Sequence, residues 1–154
     1  MTNEQAFAAW AAQKPGAQGK AANGSVIYLG RTLWSYGPHY VLGLFLPSGL
    51  QNDENPVVLL NSTKVSTTTS KHRTGAVRAL LRSGSKPQII DCPDLTRLYR
   101  DLLAIPGFRI ESEVSETDSL KRISQAVFAH FERFDPERES QASATLATAL
   151  ANSL

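Results

Sequence analysis

Four consecutive apolar residues, Val57-Val58-Leu59-Leu60, constrain this chain more than any other short stretch. A strand with no polar residue on either side has to be covered on both faces, so this run is expected near the middle of a sheet. The sheet's other strands are read upstream. The stretch from Ser25 to Leu46 is rich in β-branched and aromatic residues, and it predicts strands at 26–29, 32–36 and 40–46. Gly37-Pro38 breaks it in the middle, and Pro-Ser-Gly and Asn-Asp-Glu-Asn make 47–55 a loop.

Helices dominate the second half. Ala76, Val77, Leu80 and Leu81 recur at helical spacing and are expected to face the core, with Thr69 or Ser70 as N-cap and Ser83-Gly84 as the end. A short strand at 88–91 is followed by a helix that Pro93-Asp94 opens, running to Ala104 with Leu95, Leu98, Leu102 and Leu103 inward. Pro106-Gly107 stops it. Residues 108–114 alternate as an edge strand would, and 117–134 form the longest helix, with Leu120, Ile123, Val127, Phe128 and Phe131 on one side. The predicted class is α+β, a small antiparallel or mixed sheet from the N-terminal half packed by helices from the C-terminal half.

The domain organisation follows from composition. Residues 1–24 read as an N-terminal helix, with Phe7, Trp10 and Ala11 on one side, and a small-residue linker; the helix is expected to dock loosely or serve a neighbour. Residues 25–135 make one α+β domain. Residues 136–154 are an Ala/Ser/Thr-rich tail, a frayed helix or disordered. An apolar fraction of 42% with 19% charged residues places the chain among folded globular proteins rather than disordered ones. No apolar run is long enough to span a bilayer, and the acidic Glu4 near the start does not fit a secretory signal. With a single cysteine, Cys92, an internal disulfide and a cysteine-pair metal site are both excluded. A cytoplasmic protein without cofactor or membrane partner is expected.

Charge is distributed unevenly. Residues 1–91 hold nine Lys/Arg against four Asp/Glu, and residues 92–154 hold seven against ten. The span 55–90 contains Lys64, Lys71, Arg73, Arg78, Arg82 and Lys86 with no acid at all. Such a block is either a footprint for a polyanion or a solvated helix face whose cations pair with the acidic C-terminal half. The first reading makes Lys64, Lys71, Arg73, Arg78 and Arg82 nucleic-acid contacts, with DNA or RNA as partner. Hydroxyls of 67–70 at the helix start would meet one phosphate, and Trp34, Tyr36 and Tyr40 would offer stacking faces if exposed.

Seven Ser and Thr residues (Ser62, Thr63, Ser66, Thr67, Thr68, Thr69 and Ser70) precede the triplet Lys71-His72-Arg73. Hydroxyls, imidazoles and cations together suit an anion site, and equally a hydrogen-bonded turn. His39 and His72 are candidate general acid and base for phosphodiester cleavage without a metal, with Lys71 and Arg73 stabilising the developing charge. No nucleophile elbow and no Gly-rich phosphate loop occur. His39, His72, Asp91 and Cys92 show no recognised metal-ligand spacing, and His130 is expected to be packed in the last helix.

The strings Ser35-Tyr36-Gly37-Pro38-His39, Asn61 and Ser66-Thr67-Thr68-Thr69-Ser70-Lys71-His72 together resemble an uncharacterised small domain of bacteriophage and mobile-element proteins. The resemblance spans about residues 26–82, and Val65 stands where the family usually has an aromatic residue. It implies a polar constellation of Tyr36, His39, Asn61, Thr68 and His72 and a phage or plasmid accessory protein, in a host cell's cytoplasm if phage-encoded, with no catalytic assignment. That constellation is either a functional site or a fold determinant pinning the strand-to-helix crossover. Three roles therefore remain open: a nucleic-acid-binding accessory protein acting through a basic helix, a protein-interaction module such as an inhibitor of a host defence factor, and a nuclease. In the second, the Ala-rich termini would dock a host or phage protein or a second copy.

Overall fold

The structure is a computed structural model that describes residues 1–47, 56–63, 66–85, 87–111 and 114–134. Its elements run α1 (Asn3–Ala12), β1 (Gln18–Lys20), β2 (Val26–Leu29), β3 (Thr32–Ser35), β4 (Val41–Phe45), β5 (Val57–Asn61), α2 (Thr67–Arg82), β6 (Gln88–Cys92), α3 (Leu95–Leu103) and α4 (Thr117–Glu132). The six strands form one sheet in sequence order. Strands β1 to β5 are an antiparallel meander, and β6 returns parallel to β5 after the α2 crossover. The fold is α+β with a mixed sheet, strands clustered early and the later helices laid on it.

The apolar run 57–60 explains the layering. Val57 and Leu59 point into one core, with Leu95, Leu98 and Leu102 of α3 and Ile123, Val127 and Phe131 of α4. Val58 and Leu60 point into a second core, with Phe7 and Trp10 of α1 and Ala76 and Leu80 of α2. Every residue of β4 and β5 is buried, as a strand covered on both faces requires. Helices α1 and α2 therefore occupy one face of the sheet, and α3 and α4 the other.

Helix α1 is not a loose appendage. Trp10 is wholly buried and donates its indole N–H to the Arg31 carbonyl at 3.0 Å. Its ring lies over Gly43, where a Cβ would come within 2.7 Å of it, and meets Phe45 edge-on at 5.0 Å. A capping box between Thr2 and Gln5 starts the helix. The linker expected after it contains β1, which pairs with β2; its Gln-Gly-Lys sequence carries no strand pattern, and Gly19 admits the Tyr28 ring.

The predicted edge strand at 108–114 is not found among the described residues there. Phe108 and Val114 are buried, and the Ile110 carbonyl accepts from the Arg31 N–H at 2.9 Å at the β2–β3 turn. Among the described residues of this span, Phe108 and Val114 thus serve as core anchors rather than as members of a paired strand. Leu81 and Leu103, expected inward, are 72% and 51% exposed. His130 is buried as expected and donates Nε2–H to the Pro93 carbonyl at 2.6 Å. Most of the loop at 47–55 and the whole tail at 136–154 lie outside the described residues.

Candidate functional site

Helix α2 begins earlier than its sequence indicates. Ser66, not Thr69 or Ser70, is the N-cap, and its Oγ accepts from the Thr69 N–H at 3.1 Å. The hydroxyls of Ser70 and Thr74 turn back onto the carbonyls of Ser66 and Ser70, at 3.2 and 3.1 Å, so the β-branched first turns are satisfied locally. This shift places His72 in the second turn, facing the sheet.

His72 is the hub of the first cluster. It is only 5% exposed, its Nδ1 is 2.7 Å from Ser35 Oγ at the end of β3, and its Nε2 is 3.4 Å from Asn3 Nδ2 of α1. The Phe7 ring meets it edge-on at 6.0 Å, and the Tyr36 ring covers it at 5.4 Å with planes inclined by 31°. Burial holds the His72 pKa below the usual imidazole value, favouring the neutral ring. One imidazole thus joins α1, β3 and α2. Sequence reasoning paired Tyr36 with His72 and quoted Ser35 in the same string without including it in the constellation; nothing in the sequence pointed to Asn3, and the two partners lie 37 and 69 residues from His72.

The other members of the expected constellation sit elsewhere. Asn61 ends β5, donating Nδ2–H to the Val41 carbonyl at 2.9 Å and accepting from the Thr63 N–H at 3.0 Å. It pins the start of the crossover. Thr63 extends that pin, with its Oγ1 accepting from the Asp94 N–H at 2.8 Å and its carbonyl accepting from the Tyr40 hydroxyl at 2.7 Å. His39 is exposed and shares neither a hydrogen bond nor a ring contact with His72; Thr68 is exposed on the first turn of α2.

The cations of α2 divide in two. At about 100° per residue, Lys71, Arg78 and Arg82 fall within about 40° of one another, whereas Arg73 lies on the far side of the helix. Lys71, Arg78 and Arg82 are exposed, and none of them is in an ion pair among the described residues. Arg73 is half-buried and paired with Asp91 of β6. Lys64 lies outside the described residues.

The stripe borders a groove of about 390 Å³ between α1 and the C-terminal half of α2. Small residues at helical spacing, Ala8 and Ala12 of α1 with Gly75 and Ala79 of α2, let the two helices line it together. Glu4 contributes from α1, and Arg78 and Arg82 from α2. That small-residue spacing was present in the sequence, but only the pairing of the two helices gives it meaning.

The three aromatic residues considered for stacking also separate. Trp34 is half-buried against Tyr99, edge-on at 5.9 Å. Tyr40 is half-buried with its hydroxyl engaged, and burial raises its pKa while the nearby Arg73 charge opposes the shift. Tyr36 is 53% exposed. No group of three or more potential metal ligands occurs among the described residues, and no described helix is long and apolar enough to cross a membrane. The chain matches no family model, no curated protein and no solved structure.

Proposed function

We propose that this protein binds nucleic acid through the exposed face of α2, as an accessory protein of phage or mobile-element type that acts on nucleic acid or on a complex handling it. The observation that carries this reading is the stripe Lys71, Arg78 and Arg82, three exposed cations on one side of one helix without a carboxylate partner among the described residues. The alternative for these cations was neutralisation by the acidic C-terminal half. Among the described residues that half supplies α3 and α4 on the opposite face of the sheet, where Asp101 and Asp118 pair with Arg133 and Arg122. With respect to the described residues the stripe faces solvent, where a phosphate backbone releases counterions on binding.

Cleavage by His39 and His72 has less support, because His72 is buried under Tyr36 and is not bonded to His39. A protein-docking role through the Ala-rich termini has less to support it, since α1 packs its Phe7, Trp10 and Ala11 into the core with α2 and the tail at 136–154 lies outside the described residues. The test is fluorescence anisotropy of labelled oligonucleotides with wild type, Arg78→Ala/Arg82→Ala and Arg73→Ala. Binding that is weakened strongly by the double change and little by Arg73→Ala supports the stripe. Binding indifferent to the double change, or no binding at about 50 mM salt, rejects it.

A further inference from the structure

Tyr36 differs from every other aromatic residue of the chain: the remaining eleven are buried or half-buried, while its ring is 53% exposed. Its backbone lies at φ +59°, a left-handed conformation that a bulky L-residue adopts only with strain. The neighbouring backbone fixes it there. The Tyr36 N–H donates to the Ser25 carbonyl at 2.7 Å, the Ser35 N–H donates to the Tyr40 carbonyl at 3.1 Å, and Gly37 follows at φ +82°. Beneath the ring, His72 is itself anchored by Ser35 and Phe7. A strained residue that holds an aromatic ring out to solvent, on a rigid support, invites a functional explanation rather than a folding one.

We propose that Tyr36 stacks an unpaired base, so that the ligand of the α2 face is single-stranded nucleic acid with its backbone running along Lys71, Arg78 and Arg82. This inference rests on the nucleic-acid reading of α2 and narrows it. One side of the Tyr36 ring is occupied by His72, which leaves the solvent side for a base of any identity. Lys71 directly precedes His72 in α2, one helical step of about 100° and 1.5 Å from the residue beneath the Tyr36 ring. From Lys71 the stripe runs about 16 Å along α2 to Arg82, room for a short single-stranded track.

Two features favour one strand over a duplex. Bases in a duplex are paired and stacked on one another, and reaching Tyr36 would require flipping one out. Helix α2 is also flanked by α1, whose Glu4 lines the same groove as Arg78 and Arg82. One line of phosphates meets the arginines, and a second line would meet a carboxylate. A helix that reads the major groove needs its contact face clear of such a neighbour.

Two variants and one crosslink test the proposal. Tyr36→Asn removes the ring but keeps a residue that tolerates the left-handed backbone, and Tyr36→Phe keeps the ring. Anisotropy is read with a thymidine-rich single strand, its uridine-rich RNA counterpart and a duplex of equal length, which also sorts DNA from RNA. Wild type should bind one of the single strands about tenfold more tightly than the duplex. Tyr36→Asn should lose roughly tenfold on that single strand and less than about twofold on the duplex, with Tyr36→Phe close to wild type. Photocrosslinking of the wild-type protein to an iodouracil-substituted single strand, read by peptide mass spectrometry, does not depend on any variant folding and should mark Tyr36. Undiminished single-strand binding by Tyr36→Asn, or crosslinks that avoid Tyr36, would overturn the stacking role. If Arg78→Ala/Arg82→Ala still weakened binding in that case, the α2 face would stand without it. Absence of binding to every oligonucleotide would overturn both.

Discussion

Ser35 Oγ lies 2.7 Å from His72 Nδ1, a buried side-chain bond that fastens the end of β3 to the second turn of α2. Both residues are almost fully buried, with the Phe7 ring against the imidazole and Asn3 Nδ2 3.4 Å from its other nitrogen. Removing either one leaves a polar atom without a partner, which is costlier than the bond's net worth. Ser35→Ala is expected to lower unfolding free energy by about 1–2 kcal/mol, and His72→Ala, which also empties ring volume, by about 2–3 kcal/mol. Urea denaturation measures both. A loss below about 0.5 kcal/mol in each would show that the bond does not hold the crossover.

The same imidazole gives stability a pH dependence of definite sign. Burial lowers the native His72 pKa below its unfolded value near 6.5, so the unfolded chain binds the proton more readily. The contribution is complete above that unfolded value and is lost as pH falls from about 6.5 towards the lower native pKa, at no more than about 1.4 kcal/mol per pH unit. Wild type should therefore lose more stability than His72→Gln between about pH 7.5 and pH 5. Equal losses in the two proteins would place the titration elsewhere.

Gly75 reverses an ordinary expectation. Replacing an interior helix glycine by alanine usually gains about 1 kcal/mol. Here the new methyl would stand 2.5 Å from Phe7 Cε2, at the contact of α1 with α2. Gly75→Ala should instead destabilise by about 1–3 kcal/mol, and Phe7→Leu in the same chain should recover part of that loss. A rise in melting temperature for the single change would mean that α1 yields freely.

The strands were the most legible part of the fold, because burial on one or two faces writes itself into the sequence as alternation or as an apolar run. Strand β2 appears at Val26–Leu29 as indicated, and β5, indicated by the run 57–60, extends one residue further as Val57–Asn61. Elements defined by what packs on them were not legible. Gly43 and Gly75 look like breakers in one dimension, and only the fold shows that they make room for Trp10 and Phe7. Strand β1 depends on Tyr28 crossing Gly19, and the start of α2 depends on Ser66 capping ahead of low-propensity threonines. Leu81 and Leu103 have core-type side chains in positions that stay largely exposed.

The site was legible in its chemistry and not in its grouping. The basic block marked α2, and Tyr36 and His72 do meet. Arg73 could not be separated from Arg78 and Arg82 without knowing that Asp91 lies across from it on β6. Asn61, Thr68 and His39 share the polar strings with His72 but sit at the end of β5, on the exposed first turn of α2 and in an exposed loop.

The salt dependence of oligonucleotide affinity tests the role of α2 most directly. Three phosphate contacts by Lys71, Arg78 and Arg82 imply a slope of log K against log salt of about −2.1 for a single strand and about −2.7 for a duplex, or about a twenty- to fortyfold loss from about 50 to 200 mM. Arg78→Ala/Arg82→Ala should bring that slope to about −1 or shallower, while Arg73→Ala, whose charge is already spent on Asp91, should leave it near wild type. A wild-type slope near zero, or one that the double change does not alter, would contradict nucleic-acid binding by this helix.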